Sequence, residues 1–206
     1  PDKRSDDTDI RAPILKALIT GGLPDQPTTD FGVYLKGAFI SGTLDLWMCR
    51  TKGLTGLLNC RFEHGLEAMQ AQFEGLNLSG SHLPELNAQG ARVVGGVFLR
   101  GGFHATGRVS LSGAQIGGQL TCDGGRFENA DGNALLIQEA KIGALFFREV
   151  EVNSGQVDLI TAYAGSLVDD LASWPEGGRV ILDGFTYDRI SALAPTDSAM
   201  RLQWLE

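Results

Sequence analysis

Two residues with metal-binding chemistry lie four positions apart in this sequence. Cys60 and His64 form a C-x-x-x-H pair, and Cys49 and His82 are the nearest residues that could complete four zinc ligands. Cys60 also occupies the small position of a short apolar module that ends at Phe62, so we expect its sulfur to be buried. No second closely spaced ligand pair completes the set, and we therefore predict no metal site and no cofactor.

A nucleophile with a general base is the second possible chemistry, and it requires a histidine beside a serine or a similar group. The chain has 3 His and many Ser, but it lacks the G-x-S-x-G nucleophile elbow. His104 lies in a turn-like segment, Phe103 to Gly107, where we expect an exposed surface side chain. The sequence identifies no catalytic residue, although it leaves open a triad assembled from distant segments.

Acidic residues on an outward face could cleave carbohydrate, because glycosidases use two carboxyl groups at a defined separation. The spacing of the acidic residues in this chain defines no such separation. A solvated acidic surface is therefore the expected role of the exposed candidates, which are Asp45, Glu63, Glu67, Glu74 and Asp123.

Apolar residues recur with a period of five in the most regular part of the chain, at Leu78, Leu83, Ala88, Val93, Phe98 and Phe103. A helix would repeat them at three and four positions, and a single strand at two. A period of five indicates a square coil with short strands as its sides, and many of the 28 Gly would form its corners. We predict an all-β solenoid, namely a right-handed, quadrilateral, pentapeptide-repeat-like parallel β-helix.

The glycine pairs are interpreted as corners of this coil. A phosphate-binding loop would lead into a helix that begins with Lys-Ser or Lys-Thr, and none of the pairs does so. The pairs are Gly95-Gly96, Gly101-Gly102, Gly117-Gly118 and Gly124-Gly125.

Two modules of ten or eleven residues make one coil, so residues 31–168 are expected to form about six to seven coils. Open ends would expose apolar side chains and strand edges, and both ends therefore need caps. In the N-terminal cap, residues 1–30, the apolar stripe from Asp9 to Thr20 predicts a helix that Gly21-Gly22 ends. Residues 169–206 are assigned to a mixed C-terminal cap, because the period of five is lost after Leu167.

Aromatic residues are prominent in the predicted C-terminal cap. Trp174 and Trp204 favour a role in plugging the end of the coil, which needs bulky apolar cover. Phe185, Tyr187 and Trp204 are also the candidate partner-binding residues, through which the protein would bind another protein or itself. Helical spacing from Ser198 to Glu206 ends without a C-cap signal, which leaves open that the native chain continues.

Composition narrows the classes of function. The formal charge of −8 and the pI near 4.9 disfavour direct binding to nucleic acid, which needs clustered Lys and Arg. No stretch approaches the roughly 18 apolar residues of a membrane span. An odd number of cysteines, 3, suits a reducing compartment. We expect a cytoplasmic protein that would be linked to a membrane only through a region outside this sequence.

Several segments, which together span nearly the whole chain, resemble one family. The chain is similar to the bacterial pentapeptide-repeat-like proteins that are often labelled membrane-associated oxidoreductases. The resemblance implies a β-helix that forms the N-terminal part of a longer protein, followed by a helical and sometimes membrane-spanning region. The matching segments are Ile10 to Leu18, Val33 to Leu46, Val97 to Gly132, Leu182 to Tyr187 and Arg201 to Leu205.

These observations favour a non-enzymatic scaffold or protein-interaction module. Some members of the wider pentapeptide-repeat class are acidic rods that mimic duplex DNA; the charge of −8 permits this, but scattered basic residues such as Arg92, Arg100 and Arg126 disfavour it. The family label implies an oxidoreductase. The sequence contains neither a C-x-x-C motif nor a strand followed by G-x-G-x-x-G and a helix.

Overall fold

The chain winds into a solenoid of short parallel β-strands. The computed structural model describes residues 5, 7–23, 26–27 and 29–202, and about seven turns stack on one another within them. Strands of successive turns pair side by side at an interstrand spacing of about 4.8 Å. The predicted all-β solenoid is confirmed, whereas its right hand and its pentapeptide repeat type stay predictions.

Two sheets of seven strands each run along the described part of the solenoid. The first contains, in spatial order, β1 (Asp9–Arg11), β5 (Phe39–Ser41), β8 (Arg61–Phe62), β12 (His82–Leu83), β16 (His104–Ala105), β19 (Arg126–Phe127) and β22 (Glu151–Val152). The second contains β6 (Leu44–Asp45), β9 (Leu66–Glu67), β13 (Leu86–Asn87), β17 (Val109–Ser110), β20 (Asn133–Leu136), β23 (Gln156–Asp158) and β25 (Val180–Ile181).

A third sheet covers two sides of the coil. Its strands in chain order are β4 (Gly32–Lys36), β7 (Leu54–Leu58), β10 (Gln72–Phe73), β11 (Leu76–Asn77), β14 (Arg92–Val93), β15 (Val97–Phe98), β18 (Gln115–Thr121), β21 (Lys141–Phe147), β24 (Tyr163–Asp169) and β26 (Thr186–Ile190). The start of β18 pairs with β14 and its end pairs with β15. A full coil therefore contributes to four ladders of paired strands.

One helix closes the N-terminal end. It is α1 (Ala12–Thr20), which packs against β6 and buries Leu15 and Ile19. The predicted N-terminal helix is confirmed, but it begins at Ala12 rather than at Asp9, because Asp9–Arg11 pairs with β5 as strand β1. Gly21 ends the helix with a φ of 137°.

Three short elements complete the described structure. The hairpin β2 (Gly22–Leu23) and β3 (Gln26–Pro27) follows α1. A single 3-10 turn (Leu171–Ser173) follows β24, and α2 (Ser198–Leu202) lies near the C-terminus.

Inward side chains stack into apolar columns along the solenoid. The residues that the period of five predicts to be inside are buried, except Phe98, which is only partly buried while its neighbours Val97 and Leu99 are buried. The prediction is wrong there because Gly95-Gly96 adds one residue to the corner between Val93 and Val97. One interior column contains Leu44, Leu66, Leu86, Val109, Leu135 and Val157.

One corner uses a left-handed backbone in every coil, with φ between 53° and 68°, at Met48, Gln70, Gly90, Gly113, Glu139, Thr161 and Gly184. Gly101-Gly102 forms a different corner of the coil, which also has a positive φ at both residues. Gly117-Gly118 instead bends within β18, where the pairing register with β21 shifts. A side chain at Gly118 would lie 2.9 Å from the backbone of the coil below.

Strand pairing continues beyond residue 168. Strand β25 pairs in parallel with β23, and β26 pairs with β24. The segment that the sequence assigns to a C-terminal cap thus adds strands to two of the three sheets before α2 begins.

Candidate functional site

The C-terminal end brings two of the three predicted partner-binding residues together. Phe185 is partly buried and packs against the core, whereas Tyr187 is 39% exposed on β26. Their ring centroids lie 5.9 Å apart. The third residue, Trp204, lies outside the described residues. Tyr187 is therefore the predicted aromatic residue that is accessible to a partner here.

Strand β26 lies at the edge of the third sheet. It pairs with β24 on one side, and no strand of the described residues pairs with its other side. Its first four residues are exposed, as are Leu193 at 69% and Leu202 at 60% in the segment that follows. An edge strand presents backbone N–H and C=O groups that another chain can pair with.

A buried polar cluster lies beneath this end. The Asp169 carboxylate is fully buried at the end of β24, and both its oxygens accept hydrogen bonds from Arg201 on α2, at 2.7 and 2.8 Å. The indole N–H of Trp174 donates a third bond to Asp169, at 2.9 Å. Hydrogen bonding to Asp169 raises the pKa of Arg201. The buried charge is thus paired and hydrogen-bonded, as burial requires.

Trp174 packs on the apolar interior near the C-terminal end of the solenoid. Its side chain is buried and stacks on Phe147, with ring centroids 4.4 Å apart. Asp170 holds the preceding 3-10 turn by accepting a hydrogen bond from the backbone N–H of Ser173 at 2.8 Å. This end of the solenoid therefore contains a buried tryptophan whose polar edge is bonded to Asp169.

The pair of Asp169 and Arg201 was not predicted from the sequence. Asp169 itself was the available signal of a buried ion pair. It directly follows the buried residues Leu167 and Val168, and a buried carboxylate needs a partner. Nothing in the spacing pointed to Arg201, which lies 32 residues away.

The four candidate zinc ligands do not form a cluster. Cys60 is buried as predicted, and its thiol lies 3.4 Å from the carbonyl oxygen of Leu58. Burial raises the pKa of this thiol. His64 is exposed and Cys49 is partly buried. Within the described residues, no group of three or more His, Cys, Asp and Glu side chains could hold a metal ion.

His104 does not lie in an exposed turn, so that expectation was wrong. Its side chain is 24% exposed on β16, because Gly101-Gly102 already makes the corner and leaves His104 free to join the sheet. Its Nε2 lies 3.4 Å from Glu128, and its ring contacts His82 edge-on at 5.4 Å. The Nδ1 of His82 lies 3.1 Å from the guanidinium of Arg61.

Four of the five acidic candidates, Asp45, Glu63, Glu67 and Asp123, bond to other residues of the solenoid. Asp45, Glu63 and Glu74 are exposed as expected, but Glu67 and Asp123 are partly buried. Glu67 accepts a hydrogen bond from Asn87 at 3.0 Å.

Asp123 accepts a hydrogen bond from Arg148 Nε at 3.0 Å, which raises the pKa of Arg148. In both pairs, Glu67 with Asn87 and Asp123 with Arg148, the hydrogen-bond donor lies one coil further along the solenoid than the carboxylate.

These features define the class of the protein as a parallel β-solenoid whose C-terminal end exposes an edge strand. No helix among the described residues has the length and apolar character needed to cross a membrane. No protein-family model matches the chain, and no match was found among curated proteins or solved structures.

Proposed function

We propose that this protein is a rigid scaffold that binds another protein, or a second copy of itself, through its C-terminal end. The observation that supports this most directly is the exposed edge of β26, which carries the accessible ring of Tyr187. A partner strand could pair with the free backbone groups of such an edge. An aromatic side chain beside that edge supplies the apolar contact on which binding energy commonly depends.

The packing beneath β26 supports a rigid presentation of this surface. The ion pair of Asp169 with Arg201 and the stacking of Trp174 on Phe147 hold α2 and the last coil against the solenoid. A surface that is ordered before binding loses less conformational entropy when a partner binds.

The alternative role as an acidic mimic of duplex DNA receives less support from the placement of charges. Carboxylates of successive coils contact an arginine of a neighbouring coil, as in the pairs Arg108 with Glu85, Arg126 with Glu151 and Arg148 with Asp123. These cations interrupt a continuous negative surface.

The proposal is tested by the masses of the complexes in solution. Sedimentation of the wild type and of Tyr187→Lys across a range of concentrations measures self-association, and mass spectrometry identifies the proteins that co-purify with each. Tyr34→Lys is the matched control, because Tyr34 is 73% exposed on β4, the strand at the opposite edge of the same sheet. We expect Tyr187→Lys to lose the dimer or the specific partner and Tyr34→Lys to keep it, because a charge on an edge strand discourages pairing.

Two results would contradict the scaffold function. A stoichiometric flavin, nicotinamide nucleotide or metal in the purified protein would favour an enzyme. Association that is unchanged in Tyr187→Lys would exclude β26 as the binding surface.

A further inference from the structure

One side of the solenoid carries a line of cations that have no ion pair or hydrogen bond among the described residues. Arg50, Arg92 and Lys141 occupy the same outward position in alternate coils, and Gln72 and Gln115 occupy it in the coils between them. All five side chains are exposed. We call this line the basic column.

The spacing of the basic column follows from the fold. The backbone positions of the cations in alternate coils are separated by two interstrand spacings, or about 9.6 Å. This separation is close to the Debye length of about 8 Å at physiological ionic strength, so the cations repel one another only weakly. The fold can therefore keep three uncompensated charges in line.

Several other arginines of the described chain have a partner. Arg108, Arg126 and Arg148 contact carboxylates, and Arg100 lies 4.9 Å from the ring centre of Phe98. In contrast, no ion pair or hydrogen bond of the cationic groups in the basic column occurs within the described residues.

Two carboxylates lie close to the basic column in sequence. Glu74 follows Gln72 by two residues, and Glu139 precedes Lys141 by two. A third carboxylate, Asp188, lies past the C-terminal end of the basic column, beside Tyr163. The basic column is therefore a line of three cations with acidic neighbours, on a protein whose formal charge is −8.

An open groove runs beside the C-terminal half of the basic column. Its volume is about 490 Å³, and glycines of three successive coils form part of its floor. The ring of Tyr163 lies at one end, and its hydroxyl donates a hydrogen bond to Asp188 at 2.6 Å. Gln115, Lys141 and Tyr163 line the groove together with Gly117, Gly143 and Gly165.

We propose that the basic column and this groove bind a linear acidic polysaccharide that carries one carboxylate per disaccharide. The distance between successive cations is comparable to the length of a disaccharide in an extended chain. Each cation can then pair with a carboxylate, and each glutamine between them can bond to the hydroxyls of the neutral sugar. The three glycines give the groove a floor of closely packed backbone, since a side-chain carbon at each would lie within 2.7 Å of the preceding coil. The ring of Tyr163 offers a sugar ring an apolar face.

The same geometry disfavours nucleic acid as the ligand. Nucleic acids carry a phosphate on every nucleotide and bind through dense clusters of Lys and Arg. Here an uncharged amide separates each cation from the next.

The first test measures binding of a hyaluronan decasaccharide by calorimetry, at low ionic strength and again at about 0.15 M. We expect binding that weakens as salt rises. Arg92→Gln and Lys141→Gln should each weaken it about three-fold, which is typical of an exposed ion pair. Glutamine already occupies this position at Gln72 and Gln115, so these substitutions should preserve the coil.

The matched controls are Arg108→Gln and Arg126→Gln. They remove the same charge from other sides of the solenoid and should leave hyaluronan binding unchanged. Gln115→Arg provides a test of spacing, because it places cations in three successive coils. Gln115→Arg should shift the binding preference from hyaluronan towards polygalacturonate, which carries a carboxylate on every sugar.

Three outcomes would overturn the proposal. These are the absence of hyaluronan binding at low ionic strength, an equal loss of binding in the control variants, and tighter binding of a single-stranded DNA oligonucleotide than of hyaluronan. None of the substituted residues lies in β26, and the measurement is carbohydrate binding rather than protein association, so failure of this proposal is distinguishable from failure of the proposed scaffold function.

Discussion

Asp169 and Arg201 form a two-point ion pair that joins the last long strand of the solenoid to the C-terminal helix. The carboxylate is fully buried and the side chain of Arg201 is only 13% exposed. Removing one member of such a pair leaves the other charge buried without compensation, which is far more costly than losing a surface pair.

Asp169→Asn is therefore expected to lower the free energy of unfolding by about 3 kcal/mol. The amide keeps the size of the side chain, but it cannot neutralise Arg201. Urea unfolding followed by circular dichroism measures the change. Glu151→Gln is the control, because Glu151 pairs with Arg126 at the surface, and its effect should stay below about 1 kcal/mol. Similar effects of the two substitutions would contradict a structural role for the buried pair.

Gly113→Ala tests the left-handed corner of the coil. Gly113 has a φ of 65°, and a side-chain carbon there would meet no atom within 4 Å. The cost is thus the backbone conformation alone. We expect the free energy of unfolding, measured by thermal unfolding, to fall by about 1 to 2 kcal/mol. Gly113→Asn should lose less, because asparagine adopts this conformation more readily. A greater loss for asparagine than for alanine would argue against backbone strain as the cause.

Thiol alkylation tests the burial of the cysteines. Cys60 and Cys122 are buried, and burial raises the pKa of both thiols, so little reactive thiolate forms near neutral pH. We expect iodoacetamide to modify Cys49 first, because its side chain is partly exposed. Peptide mass spectrometry measures the order of modification. In denaturant, all three should react at similar rates, and equal rates in the folded protein would contradict the packing.

Glu128 is expected to contribute a small stabilisation that is lost in acid. A hydrogen bond from Asn153, at 2.9 Å, and the neighbouring His104 lower the pKa of this carboxyl in the folded protein. The contribution is complete above the ordinary pKa of about 4.5, and it disappears as the pH falls through the lower folded value.

Asn153→Ala should raise the pKa of Glu128 towards its ordinary value, which a carbon-detected NMR titration of the carboxyl measures. An unchanged pKa in this variant would exclude the hydrogen bond as the main cause.

Much of the fold could be predicted from local spacing. Three sequence patterns were informative: the period of five, the small residue beside each large apolar one, and the helical stripe before Gly21. Each pattern depends only on residues that are close together in the chain. They predicted a solenoid with an N-terminal helix. The prediction was wrong at Phe98 and at His104, where the length of one corner decides which side chains point outwards.

The candidate site could be predicted only in part. Tyr187 and Trp174 were identified because large aromatic residues stand out after the period of five is lost. Asp169 and Arg201 could not be paired, because residues so far apart in the chain meet only once the end of the coil has closed.

The amino-acid sequence by itself determined the repeating coil, because each turn depends on residues only a few positions apart. Tertiary structure decided which residues of different coils share a column, and therefore where charges pair and where they do not. Arg92 and Arg126 show the difference. Both follow a corner and begin a short strand, yet stacking places Arg126 beside Glu151 and Arg92 between two glutamines. From Gly32 onwards, coil lengths between 20 and 26 residues set this register, and it exists only when neighbouring coils pair.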